Sequence, residues 1–137
     1  MKRKHNILLL LFWGLSVVLM AEKIQVFNFP NASNRVQFGV ESLTKALNEK
    51  GYTVNNKFTK KISSKQKTII VFEQSDVNAG QILKKLKVSI PENIKKEGFF
   101  ITTVKSTTIV CGADGVGALY GCREIIDRLN DNKQLDL

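Results

Sequence analysis

The sequence predicts an α+β protein, in which a mixed or antiparallel sheet has helices packed on it. Three observations lead to this fold class. Short runs with period-two alternation or β-branched residues recur along the chain, as in strands. Segments with apolar residues at helical spacing lie between them. Two pairs of these strands are close enough in sequence to resemble hairpins, which gives the order β-α-β-β-α-β-β-α.

The first half of the predicted domain contains three strands and one helix. Residues 24–29 alternate apolar and polar side chains, which is typical of a strand. Residues 35–50 carry one apolar stripe at helical spacing, and Gly51 is a natural helix stop. Residues 52–54 start a second, short strand. Residues 68–72 are continuously apolar and largely β-branched, so we expect a central strand that is buried on both faces.

The second half begins with a short helix and ends with a longer one. We expect Ser75 or Asp76 to cap the short helix, which has four inward residues: Val77, Ile82, Leu83 and Leu86. Strands at 97–104 and 107–111 are separated by a Lys-Ser pair. That pair is a poor choice for a tight hairpin turn, so we expect a wider loop. The last helix runs over residues 115–129.

Residues 1–21 have the features of a secretory signal peptide. A basic head precedes an apolar run that ends at Met20, and the small residue Ala21 follows. The run is too short for a comfortable membrane span. Cleavage after Ala21 would leave residues 22–137 as a single domain without a stable membrane span, exported to the periplasm or the extracellular space. An uncleaved anchor is the alternative, because Leu19 stands where a small residue is preferred.

The charged residues disfavour several classes of function. The chain has 21 Lys and Arg against 12 Asp and Glu, a formal net charge of +9. The lysine clusters lack the interleaved Tyr and Trp of nucleic-acid binders, so we expect solvated lysines and no nucleic acid. The single histidine, His5, lies in the predicted signal peptide. The mature chain therefore has no imidazole for a general base or a metal site, and we predict no cofactor and no metal.

Cys111 and Cys122 are the two cysteines of the chain. Cys111 ends a predicted strand, and Cys122 lies about two turns into the following helix. We expect their Cα atoms to be farther apart than the roughly 7 Å that a disulfide can span. The prediction is two buried free thiols that act as small apolar side chains.

The stretch GADGVGALYG, residues 112–121, follows a strand and opens a helix, as a phosphate-binding loop does. A dinucleotide fingerprint also needs a parallel strand after the helix, ending in an acid about 20 residues on. Within that distance there is only a polar tail with Asp136, and no Lys-Ser or Lys-Thr follows the glycines. We therefore assign the glycines to a sharp turn and a closely docked helix, with Asp114 suited to the helix start.

Tyr120 and Arg123 are the candidate contact residues of the last helix. At 100° per residue, Tyr120 projects almost opposite the apolar face, near Arg123 and Asp127. One interpretation is a surface tyrosine without a role. The other is contact with another domain, for which a flat apolar ring with a hydroxyl is well suited.

The residues Glu97-Gly98-Phe99-Phe100-Ile101, a hairpin, and then residues 109–121 resemble the N-terminal accessory domain of certain secreted glycoside hydrolases. These are the alpha-glucuronidases and, more distantly, the beta-N-acetylhexosaminidases. The shared pattern is E-G-[FY]-x-[IL], the hairpin, then G-x-D-x-x-G-x-[LF]-Y-G and an amphipathic helix. It is tight over residues 97–129 and loose over residues 24–72. The resemblance implies a non-catalytic α+β domain that precedes a (β/α)8 barrel with the catalytic carboxylates.

The resemblance assigns no catalytic residue to this chain. Glu97, Asp114 and Glu124 do not show the converging pair of carboxylates that glycoside hydrolysis needs. The hypothesis is therefore a non-catalytic N-terminal domain of an alpha-glucuronidase-like enzyme, present here without its barrel. Its partner would be a catalytic barrel or another protein that meets the last helix. A stand-alone carbohydrate-binding or adhesion module is the alternative, disfavoured because the one tryptophan, Trp13, lies in the predicted signal.

Overall fold

Five strands and three helices follow one another in the predicted order. The computed structural model describes residues 20–132 and residue 135, so the predicted signal peptide lies almost wholly outside the described residues. Within that part of the chain, no helix has both the length and the apolar character needed to cross a membrane. The strands are β1 (Lys23–Asn28), β2 (Thr53–Asn55), β3 (Lys67–Glu73), β4 (Phe99–Val104) and β5 (Thr107–Gly112), and the helices are α1 (Asn34–Glu49), α2 (Ala79–Leu86) and α3 (Gly115–Asn132).

The strands form one mixed sheet in the order β2-β1-β3-β5-β4, which confirms the predicted fold class. The β4–β5 hairpin is also confirmed, as the sheet's antiparallel pair. The expected pairing of β2 with β3 is wrong, because both strands lie parallel to β1, on its two sides. Residues 56–66 carry the chain across β1, which gives parallel strands the long connection they need.

The β4–β5 turn is tighter than we expected. Val104 pairs directly with Thr107, so the turn has only two residues. Lys105 makes this possible by adopting a left-handed conformation with φ 56°. That conformation is uncommon for a residue with a Cβ, and the Lys-Ser pair gave no sign of it.

Helices α1 and α3 pack side by side on one face of the sheet. The predicted α1 stripe is buried there, and β3 is buried on both faces as expected. The core on this face combines strand and helix residues: Ile24, Val26, Val36, Val40, Leu43, Leu47, Ile69, Val71, Val110, Ala118, Cys122, Ile125 and Leu129. Most of the burial in the domain therefore depends on how closely these two helices approach the sheet and each other.

Helix α2 and the segment 56–66 cover the opposite face. Ile82 is buried there, and Leu83 and Leu86 are partly buried, as expected. Val77 was expected inward but is 90% exposed. The helix starts later than we expected because Asp76 accepts a hydrogen bond from the backbone of Asn78, 2.9 Å away, in a turn before the helix. Val77 lies in that turn and points to solvent.

The two thiols are free and buried, as predicted. They lie on opposite faces of the sheet, because Cys111 belongs to the α2 side and Cys122 to the α1 and α3 side. Burial raises the pKa of each thiol to about 12, so both stay protonated at neutral pH. The sheet itself separates them, which is a stronger barrier to a disulfide than distance along the helix.

Glycines allow the close docking of α3. A Cβ at Gly117 would overlap the carbonyl oxygen of Gly98, and a Cβ at Gly121 would overlap Val110. A Cβ at Gly39 of α1 would lie 3.1 Å from Sγ of Cys122, so α1 and α3 are also close together. This geometry accounts for the glycine-rich stretch through packing, as the sequence indicated.

The Asp114 carboxylate fixes the start of α3. Its Oδ1 accepts backbone N–H bonds from Val116 and Gly117 at 3.0 and 2.9 Å, and its Oδ2 accepts one from Glu97 at 3.1 Å. The bonds from Gly117 and then from Glu97 hold the pKa of Asp114 below its usual range, with a smaller effect from Lys96 nearby. One side chain therefore caps the helix and ties it to the turn before β4.

We predict that Gly117→Ala destabilises the fold by about 1–3 kcal/mol, because the new methyl group must push the helix away from Gly98. Gly80→Ala in α2 is the matched control, since nothing lies within 4 Å of its Cβ position. The control should gain about 0.5 kcal/mol from helix propensity. Denaturant unfolding of both variants measures the two values, and equal stability of the two variants would contradict the close-docking argument.

We also predict that Asp114→Asn weakens the dependence of stability on acid pH. Because the folded-state pKa is lowered, the ionised carboxylate stabilises the fold above the unfolded value of about 3.9, and this contribution is lost as pH falls through the folded pKa. The unfolding midpoints of wild type and variant should thus differ at pH 7 and converge in strong acid.

Asp131→Asn is the control for that experiment, since Asp131 lies in the last turn of the same helix. It should keep the wild-type pH dependence. If the unfolding midpoints of Asp114→Asn and wild type differ by the same amount from pH 7 down to strong acid, then Asp114 is not the source of the acid dependence of stability.

Candidate interdomain surface

The two sequence motifs behind the family resemblance meet in space. Glu97 and Gly98 form the turn before β4, and Asp114 and Gly117 form the start of α3. The Asp114 carboxylate joins the two sides, and the N–H of Ala113 donates to the carbonyl of Gly98 at 2.9 Å. Glu97 has φ 61°, a left-handed conformation that turns its N–H toward Asp114. The motif therefore specifies how the helix is held against the sheet.

This arrangement is unsuited to a phosphate. A phosphate at the start of α3 would need the N–H groups of Val116 and Gly117, which already donate to Asp114. It would also face the negative charge of that carboxylate. The geometry thus supplies an argument against a phosphate at this helix start that does not depend on the sequence pattern.

A crevice lies at the carboxyl ends of β1 and β3. The chain leaves these two strands toward opposite faces of the sheet, to α1 and to α2. Open α/β sheets usually bind ligands at such a point. Here the crevice, of about 290 Å³, contains two acids, Glu73 and Asp76. The Ser33 hydroxyl donates to the Glu73 carboxylate, and a Cβ at Gly115 would come within 3.0 Å of the same carboxylate. Glu73 therefore occupies the space between the starts of α1 and α3, where an anion is favoured.

Two of the three acids that we considered for catalysis, Asp114 and Glu124, make separate contacts. Asp114 caps α3, while Glu124 pairs with Arg128 one turn along the helix, with 2.8 Å between Nε and Oε1. Among residues 20–132 and 135, no group of three or more potential metal-ligating side chains is found. The carboxylates of Asp114 and Glu124 therefore make stabilising contacts. They do not form an acid and base pair that could act on one sugar.

Tyr120 and Arg123 lie on the outer side of α3, as the helical projection predicted. Tyr120 is 47% exposed, and both residues line a groove of about 290 Å³ between α1 and α3. Leu119 and Ile126 form part of its apolar floor, and Asp127 lies at the same groove. We name this feature the α1–α3 groove. Its mixture of an aromatic ring, an aliphatic floor and a charged rim is typical of a contact surface between domains.

Phe38 is the groove residue that the sequence analysis missed. It is 59% exposed and lines the groove from α1. The sequence did contain an indication of this exposed residue. Phe38 lies nearly opposite the buried stripe of α1, and a phenylalanine on the polar side of an amphipathic helix is unusual. Nothing local indicated that it would lie beside Tyr120, since the two helices are far apart in sequence.

No protein-family model and no curated protein matches the chain. Among solved structures, the chain is similar to a GH138 enzyme targeting pectin rhamnogalacturonan II, with a TM-score of 0.61 and 33% identity. That likeness covers 84% of this chain and 14% of the enzyme.

The chain is also similar to a GH115 4-O-methyl-alpha-glucuronidase with specificity for decorated arabinogalactans. The TM-score is again 0.61, over 80% of this chain and 14% of that enzyme, and at 18% identity the likeness shows the fold alone. The chain thus spans only a small part of the structures it matches. Its structural neighbours are glycoside hydrolases, and the likeness fits a small accessory domain of such enzymes.

Proposed function

We propose that this chain is a non-catalytic accessory domain of an alpha-glucuronidase-like glycoside hydrolase that takes part in polysaccharide degradation. The observation that carries the proposal is the match to glycoside hydrolases over only 14% of their length. The carboxylate of Asp114 caps α3 and that of Glu124 pairs with Arg128, which supports a role without catalysis. We further propose that residues 1–21 direct the protein to the periplasm or the extracellular space.

The α1–α3 groove is the surface through which the domain would meet a catalytic barrel. Interfaces between domains of one chain bury about 600–1,500 Å² and are more polar than permanent ones. Tyr120 and Phe38 would supply apolar area, and Arg123 would reach an acceptor on the partner through its long side chain. Because α3 is fixed by Asp114 and Gly117, the groove is presented in one orientation.

The second candidate, a stand-alone carbohydrate-binding module, gains support from one feature that the sequence did not show. Phe58 is exposed beside lysines on the opposite face of the sheet. That feature suits a sugar ring and is compatible with an accessory domain as well as with a free module.

We predict that the purified protein does not hydrolyse aryl alpha-glucuronides or aryl beta-N-acetylhexosaminides above background, because Asp114, Glu124, Glu73 and Asp76 each bind a different group of the domain. A sensitive release assay for the aryl group measures this. Turnover that disappears in Glu124→Gln, in Glu97→Gln or in Glu73→Gln with Asp76→Asn, with the fold intact by circular dichroism, would contradict the proposal.

The interface is tested by grafting residues 22–137, which include the buried Leu135, in place of the matched part of the GH138 enzyme. We predict that Tyr120→Asp lowers the stability of the graft by about 1–3 kcal/mol, because a charge would be buried at the contact. Thermal unfolding of the graft gives the value. The same substitution in the isolated domain should have almost no effect, since Tyr120 is exposed there.

Lys50→Gln in the graft is the matched control, because Lys50 is exposed and lies beyond the α1–α3 groove. The interface assignment fails if Tyr120→Asp and Lys50→Gln have the same effect in the graft.

A further inference from the structure

The positive charge of the domain is concentrated on one face of the sheet. The segments 56–66 and 79–94, which cover the α2 side, contain seven lysines and one acid, Glu92, a net charge of +6. Helices α1 and α3 on the other side contain four basic and five acidic residues, a net charge of −1. The lysines are Lys57, Lys60, Lys61, Lys65, Lys84, Lys85 and Lys87. An asymmetry of this size produces a field that attracts anions to the α2 side.

A groove lies within this charged face, between the segment 56–66 and helix α2. Its volume is about 340 Å³, and we name it the lysine groove. Its lining combines two aromatic rings, two ammonium groups and two amides: Phe29, Phe58, Lys60, Asn78, Gln81 and Lys85. Among the described residues, the ion pairs use Lys45, Lys67 and Arg128, so Lys60 and Lys85 are outside them.

Phe58 is held in place as a platform. Its ring makes edge-to-face contacts with Phe27 and Phe29, with centroids 5.7 and 5.9 Å apart. The segment that carries it is fixed by Gln25, whose side-chain amide donates to the carbonyl of Lys57 at 3.1 Å. Even so, 37% of Phe58 stays exposed at the groove. A ring that is fixed on one side and open on the other needs little ordering when a ligand stacks on it.

We propose that the lysine groove binds a hexuronic acid residue of an anionic glycan. The ring face of the sugar, with its C–H groups, lies on Phe58. The ammonium groups of Lys60 and Lys85 donate hydrogen bonds to its carboxylate. Both partners are charged, which makes such hydrogen bonds stronger than neutral ones. The amide of Gln81 offers the hydroxyl groups a donor and an acceptor, and Asn78 offers its carbonyl oxygen and the N–H that it does not donate to Asp76.

A glycan fits these residues better than a nucleic acid does. Nucleic-acid grooves stack successive bases on several rings, whereas this groove exposes one ring. The two amides match hydroxyl groups, which a phosphodiester backbone does not offer in such number. The nearest acid, Asp76, accepts hydrogen bonds from the backbone and side chain of Asn78, and it does not line this groove.

This inference does not depend on the proposed interdomain role. The lysine groove and the α1–α3 groove lie on opposite faces of the sheet, so one can be occupied without blocking the other. An accessory domain with both surfaces would hold a catalytic domain on one side and an acidic polysaccharide on the other.

The test is calorimetric titration of the purified protein with a trimer of galacturonic acid at low and at physiological salt. We expect saturable binding that weakens as salt increases. Lys60→Gln with Lys85→Gln should weaken it about tenfold or more, because two charge-assisted contacts are lost. Both lysines are exposed, so circular dichroism should show an unchanged fold.

Lys45→Gln with Lys50→Gln is the matched control, because it removes the same charge from exposed positions on and just after α1. It should leave the affinity unchanged, and a neutral galactose trimer should bind much more weakly than the acid. The proposal is overturned if the acidic trimer does not bind or if both pairs of substitutions weaken it equally. It is also overturned if a short single-stranded oligonucleotide or an anionic phospholipid vesicle binds as tightly as the trimer.

Discussion

The carboxylate of Asp114 links two segments that are 17 residues apart, and the position of α3 depends on it. By accepting N–H bonds from Val116 and Gly117, it satisfies two of the backbone donors that the first turn of a helix leaves without a partner. By accepting the N–H of Glu97, it sets the turn before β4 against that same helix end. Gly117 can then lie against the carbonyl of Gly98 without a side chain between them. The orientation of α3, and with it the α1–α3 groove, follows from these contacts.

The sheet separates two surfaces of different chemistry. On one side, two closely packed helices leave Tyr120 and Phe38 exposed around an aliphatic floor, with little net charge. On the other, a short helix, the residue that ends it and a long connection carry seven lysines, two of which line a groove with one exposed ring. Under the proposed function, the apolar surface would contact a catalytic domain, and under the further proposal the cationic groove would bind an acidic glycan.

Local sequence signals were sufficient for the elements, for the burial of β3 on both faces and for the free thiols. The elements and the burial of β3 depend on side-chain periodicity within one segment, and the free thiols follow from the short path between the end of a strand and the next helix. The pairing of β2 and β3 with β1 was not predictable in the same way, because periodicity says which face of a strand is buried and not which strand lies beside it. Tyr120 and Arg123 were placed correctly by helical projection. Phe38 and Phe58 were missed because each groove is built from segments distant in sequence. The left-handed conformation of Lys105 was not predictable because a lysine rarely adopts it.

The measurement that tests the central claim most directly is amide hydrogen exchange of Glu97 and Gly117, followed by NMR in wild type and in Asp114→Ala. Because one carboxylate accepts both N–H groups, the two amides should exchange slowly and with the same opening free energy in wild type. Both should become faster in the variant, while the β3 amides stay protected. Fast exchange of Glu97 in wild type, independent of Gly117, would contradict the claim that Asp114 couples the turn before β4 to helix α3.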